Sequence, residues 1–255
     1  MFLKLFKHES HAAIRSMLPL LGGLLAMAGL ARGSVWLMDV TDASAVEIIG
    51  GLFISLFFLS CVVAVVATMI LMMVRFKKAV YSDEGYLTHT LPIGLNTILL
   101  SHLLISFLAV LASFAAVYLG VRIATFGVHS AESFGGLMNK LLNALDIDGN
   151  EFLLQLAILG FLWILSWILI LWAAIAIGHS FDNGKTGKSV LFFFVLYIAG
   201  QIVSSILLTT LPDNIETVSN AFSAIFWYVA GQYFISIAVN YFLTWYMTKK
   251  RLNLA

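Results

Sequence analysis

Residues 152–177 read FLLQLAILGFLWILSWILILWAAIAI, a run without one Asp, Glu, Lys or Arg. The hydrocarbon core of a bilayer is about 30 Å thick and takes roughly 20 residues of α-helix. Lipid offers no partner to backbone N–H and C=O groups, so a spanning segment must satisfy them internally, as a helix does. A barrel strand is about 10 residues long and alternates in character, whereas this run is apolar on every side. Phe152–Ile177 therefore reads as a membrane-spanning helix.

Five further stretches have the same character: Ser16–Met38, Val46–Val74, Thr97–Val121, Ser189–Thr210 and Ala221–Met247. The whole chain agrees with them. Its 255 residues are 61% hydrophobic and 11% charged, against about 45–50% apolar and about 25% charged in a soluble domain. That balance excludes a soluble enzyme, whose outer shell must be polar, and it excludes a disordered chain. Fourteen Lys and Arg face 13 Asp and Glu, so there is no basic excess for binding nucleic acid. One Cys gives neither a disulfide framework nor a thiolate metal cluster. The fold class is an all-α polytopic membrane protein, with residues 1–255 forming a single transmembrane domain of six spans.

Charge sets the expected orientation, because Lys and Arg gather on the cytoplasmic side. With both termini inside, Lys4, Lys7, Arg15, Arg75, Lys77, Lys78, Lys185, Lys188, Lys249, Lys250 and Arg251 are cytoplasmic. Arg32, Arg122 and Lys140 are left at the other face. The net charge of +1 thus conceals two faces of opposite sign. Ala26-Met27-Ala28 imitates a signal-peptide cleavage site, but the residues after Ala28 are again membrane-like, so this run reads as the first span.

Between the spans the pattern changes. In residues 1–15, Lys4, Lys7, His8, His11 and Arg15 share one helical face, while Phe2, Leu3, Phe6, Ala13 and Ile14 fall mostly on the other. This predicts an amphipathic helix on the cytoplasmic leaflet, apolar side down. Phe134, Leu137, Met138, Leu141, Leu142 and Leu145 repeat at helical spacing and predict an outer amphipathic helix between spans three and four. Asp146, Asp148, Asn150 and Glu151 after it resemble part of a calcium loop, but Gly149 is misplaced and the distal Glu is missing, so no metal site is expected. Gly184-Lys185-Thr186 and Gly187-Lys188-Ser189 lack the earlier glycine of a phosphate loop. No catalytic motif is present. His102 and Cys61 stand inside spans without an obvious partner, and an intramembrane ionisable group is a functional candidate by default.

The loop at 75–96 carries the strongest signal. Ser82 or Asp83 can cap a short helix and Pro92 can end it, leaving Tyr86, Leu87 and Leu91 as apolar contact points for another protein. Asp83, Glu84, Gly85, Tyr86 and Leu87, then Thr90, Leu91 and Pro92, then Ile98-Leu99-Leu100-Ser101, resemble the permease subunits of bacterial ABC-2-type exporters, notably those of Firmicutes. The close match covers Arg75 to Leu104; the six-span plan matches loosely over the whole chain. His102 stands where Lys is expected. The resemblance implies that 83–92 is a coupling helix docking into a separate ATP-binding subunit. It also implies a second permease subunit, in a homodimer or a heterodimer. ATP and Mg²⁺ are then held by the partner, this chain needs no cofactor and is not itself an enzyme, and the site is the bacterial cell membrane.

Two polar rows fit a transport reading. Gln201, Ser205 and Thr209 recur every four residues on span five, as do Tyr228, Gln232, Ser236 and Asn240 on span six. They either line a route or bond neighbouring helices. Gly22, Ala26, Gly29 and Gly33 form a small-residue face suited to close packing, within the chain or across a dimer. Arg32 is expected near the outer end of its span or paired with an acid such as Asp39. The rival readings are an intramembrane hydrolase using His102 or Cys61, and a non-transporting immunity or interaction protein.

Overall fold

A computed structural model describes residues 2–41, 44–82, 94–126, 149–181, 183–209 and 218–250. They form six helices: α1 Phe2–Val40, α2 Ser44–Tyr81, α3 Leu95–Ala124, α4 Gly149–Gly178, α5 Lys185–Leu208 and α6 Val218–Lys250. Each contains a segment long and apolar enough to cross a membrane, and no strand occurs among the described residues. This is the architecture of a multi-pass membrane protein. The chain divides into two compact units, one of Met1–Phe76 and Pro92–His129, the other of Lys77–Leu91 and Ser130–Ala255.

Two helices outrun their expected spans. α1 has 39 residues, about 58 Å at about 1.5 Å per residue. The expected boundary between an interfacial helix at 1–15 and a span from 16 is absent. No breaker stands between Ala12 and Met17, and the helix continues through Pro19, which removes the hydrogen bond its N–H would give to Arg15 and crowds that carbonyl. α2 runs past Val74 to Tyr81, because Arg75, Lys77, Lys78 and Ala79 are good helix formers. Ser82 donates to the Lys78 carbonyl at 2.6 Å at the end of that helix, and the short helix it was expected to cap lies outside the described residues. The loop expected at 75–96 is correspondingly shorter. The expected outer amphipathic helix lies outside the described residues.

In the first unit α1 packs on α3. Leu24, Ala28 and Ala31 of α1 meet Phe57 and Ala64 of α2 and Ala116 of α3. Lower down, Ala13 and Met17 meet Met72 of α2 and Ile105 and Ala109 of α3, with Phe6 against the same cluster. Phe6 and Ala13, expected on the lipid side, thus face protein: the small Ala13 and Ala109 let the helices approach, and burial of Phe6 follows. Arg32 and Asp39 form no ion pair, and Nη1 of Arg32 is buried without a hydrogen-bond partner.

In the second unit α4 is the central helix, packed on both α5 and α6. Leu169, Trp172, Ala173 and Ile175 are fully covered. Its end presses on the start of α5. A Cβ placed on Gly178 would overlap Ser189 Oγ and lie 2.6 Å from the Ser189 nitrogen. Glycine is required there by space. Gly178→Ala is expected to destabilise the protein by about 1–3 kcal/mol, as overpacking does, seen as a lower midpoint of thermal unfolding in detergent. Gly120→Ala, whose Cβ would sit 3.3 Å from the movable Phe57 ring, is expected to cost less. Equal midpoints for the two variants would show that the α4–α5 approach can relax.

Candidate functional site

Several polar residues of the second unit form one row along α6. Gln232, Ser236, Asn240, Thr244 and Thr248 follow each other at four-residue spacing, a drift of about 40° per step. Ser204 of α5 donates to Gln232 Oε1 at 2.9 Å. The Ser236 and Ser166 hydroxyls bond across α6 and α4 at 3.0 Å. Asn240, 6% exposed, donates from Nδ2 to the Ser236 carbonyl at 2.8 Å and to its Oγ at 3.1 Å. Thr244 donates to the Asn240 carbonyl and Thr248 to the Thr244 carbonyl, at 2.8 and 2.7 Å.

The row ends on α2. Tyr81 Oη lies 2.6 Å from Thr248 Oγ1. The Thr248 hydrogen is committed to the Thr244 carbonyl, so Tyr81 is the donor. Around this pair is a compact polar and aromatic knot. The Tyr81 ring lies 5.1 Å from the His179 ring. His179 Nδ1–H donates to the Ile175 carbonyl at 3.0 Å. Lys77 Nζ donates to Thr186 Oγ1 at 3.1 Å. Burial pushes His179 below its ordinary pKa of 6.5; the carbonyl bond opposes this, and Lys77 and Lys185 reinforce it.

Of the residues singled out in the sequence, Gln232, Ser236 and Asn240 belong to this row and bond their neighbours. Tyr228 is half-buried. Gln201, Ser205 and Thr209 are exposed, and the last two donate to their own Ile202 and Ile206 carbonyls; they do not join the α6 row. Ser204, one residue away, does. Gly22, Ala26, Gly29 and Gly33 are exposed, because the face of α1 that packs is Leu24, Ala28 and Ala31. Asp83, Glu84, Gly85, Tyr86, Leu87, Thr90, Leu91 and Pro92 lie outside the described residues. Sequence reasoning missed Thr244, Thr248 and Tyr81. The first two simply continue the four-residue spacing and were findable. Ser166, a lone hydroxyl in an apolar helix, carries no signal.

The first unit holds a separate charged cluster. Arg75 of α2 bonds Glu9 of α1 through its carboxylate at 3.0 Å and its carbonyl at 3.2 Å. Glu9 Oε2 also lies 4.0 Å from His102 Nδ1 on α3. His102 is 5% exposed, its ring edge-on to Phe76 at 6.3 Å, and its Nε2 is buried without a hydrogen-bond partner. Helical spacing around His102 offers no carboxylate, since Glu9 is distant in the chain. Cys61 is not part of this cluster. It packs beside the Leu24–Phe57 cluster, fifteen residues before Phe76 on α2, or about 22 Å at about 1.5 Å per residue. A Cys61–His102 nucleophile–base pair is therefore not formed. No group of three or more metal-ligating side chains occurs among the described residues.

Two measurements test this geometry. In a double-mutant cycle, Ser166→Ala and Ser236→Ala are expected to couple by about 0.6 kcal/mol, the usual size for a hydrogen bond between membrane helices; additive effects would mean the bond contributes nothing. For His179, the folded state disfavours the proton and the unfolded chain takes it up. Stability is therefore highest above about pH 6.5 and falls as pH drops below it. Unfolding midpoints measured between about pH 7.5 and 5 should show that decline, and His179→Asn should reduce it. An identical decline in the variant would remove His179 as its source.

Comparison with known proteins finds no matching family model, no similar curated protein and no similar solved structure.

Proposed function

We propose that this chain is the membrane subunit of an ATP-driven exporter of the ABC-2 type, moving its cargo by alternating access. In this reading both termini are in the bacterial cytoplasm, residues 83–92 dock into a separate ATP-binding subunit, and a second permease subunit completes the route. ATP and Mg²⁺ belong to the ATP-binding partner, and this chain does no covalent chemistry.

The observation that carries the reading is the Tyr81–Thr248 hydroxyl pair. Tyr81 stands two residues before the segment with the Glu-Gly-Tyr-Leu and Thr-Leu-Pro elements. Thr248 is the foot of the α6 polar row. A displacement of the docked segment thus acts on α6 through one short, directional bond, with Lys77–Thr186 as a second tie to α5. A docking loop that drives transport needs such a firm attachment to the spans it moves. Burial of Val80 and Tyr81 keeps that root rigid.

Gentle isolation from the native membrane is the direct test, with an ATP-binding subunit expected to co-purify. Its absence overturns the proposal. Glu84→Arg and Leu87→Asp are expected to uncouple ATP hydrolysis from transport while the fold stays intact. Tyr81→Phe, which loses one hydrogen bond of about 1 kcal/mol, is expected to lower transport per ATP by about fivefold. Unchanged coupling in all three variants would assign the docking surface elsewhere.

A further inference from the structure

We propose that the basic face of α1 is a binding site for the headgroup of an anionic phospholipid. An open surface depression of about 520 Å³ lies there along Lys7, His8, His11, Ala12 and Arg15. The four nitrogen-bearing side chains occupy adjacent positions over little more than two helical turns. All four are exposed, and none takes part in an ion pair among the described residues. The acid of the same stretch, Glu9, is held on another face by Arg75. Among the described residues no acid pairs with the basic face.

The neighbouring side chains select the ligand. Ile14 is 56% and Leu18 64% exposed, so bare apolar groups begin on α1 just where the basic ones end. A membrane helix shows that change at headgroup level. An anionic phospholipid matches both parts: its phosphate meets Lys7, Arg15 and the imidazole N–H groups, and its acyl chains cover Ile14 and Leu18. An acidic protein partner would meet the cations and leave the apolar pair uncovered. The inference does not depend on the transport reading.

The test is lipid binding by the purified full chain, followed by native mass spectrometry during titration with phosphatidylglycerol or phosphatidylcholine. The chain is expected to bind phosphatidylglycerol more tightly. Each Lys or Arg near an anionic surface contributes about 1 kcal/mol, so Lys7→Gln with Arg15→Gln should weaken phosphatidylglycerol binding by about 30-fold. Phosphatidylcholine binding should not change. The control pair Lys249→Gln with Lys250→Gln, at the exposed basic end of α6, should keep the preference. Unchanged helicity by circular dichroism shows that the variants fold. Equal affinity for the two lipids overturns the proposal, as does an equal loss in the control pair. Displacement of phosphatidylglycerol by millimolar inorganic phosphate would also overturn it, by showing a site for a free anion.

Discussion

In hydrocarbon there is no water to take up a hydrogen bond, and the structure depends on that constraint throughout. It makes each apolar run a helix, since only a helix satisfies its own backbone. It also governs the side chains. Every polar group inside a span must bond its own helix, bond a neighbour, or remain unpaired at a cost in free energy. The described helices use all three. Ser34, Thr68, Ser101 and Ser113 return their hydrogens to carbonyls three or four residues back. Ser166 and Ser236 bond across helices. His102 Nε2 stays unpaired.

The two units draw on these options differently. The first is built on small residues and one ion pair, with Ala28, Ala64 and Ala116 allowing close contact and Arg75 anchoring Glu9. The second is organised by directional bonds around α6, and its largest buried side chain is Trp172 of α4. In the second unit, bonds from the α6 row reach α4, α5 and α2. The first presents an exposed cationic surface, and Glu9 of the same stretch is engaged by Arg75.

The six spans were legible because their signal is composition over 20 residues or more, which tertiary contacts cannot overturn. Helix ends were less so. α1 and α2 continue through basic residues, because Lys and Arg stop an apolar run without stopping a helix. The α6 row was half legible: regular spacing exposed Gln232, Ser236 and Asn240, while their partners Ser204 and Ser166 depend on how α4 and α5 turn. The same holds for the Gly22 to Gly33 face. Its spacing is as good as that of Leu24, Ala28 and Ala31, and a one-dimensional pattern has no means of choosing which face is turned inward. Glu9 and His102 meet only because α1 folds against α3.

The hydroxyls that bond their own helices have a mechanical consequence. A serine satisfied by the carbonyl one turn back holds no claim on the helix beside it, so the contact it makes is smooth. Rearranging α1 against α3 breaks mainly dispersion contacts, which can re-form between other methyl groups a fraction of a turn away, while Glu9–Arg75 ties α1 to α2. Moving α6 against α4 or α5 must instead break Ser166–Ser236 or Ser204–Gln232, whose partners exist at one register only. The first unit is thus the compliant part of this protein, and the second its indexed part.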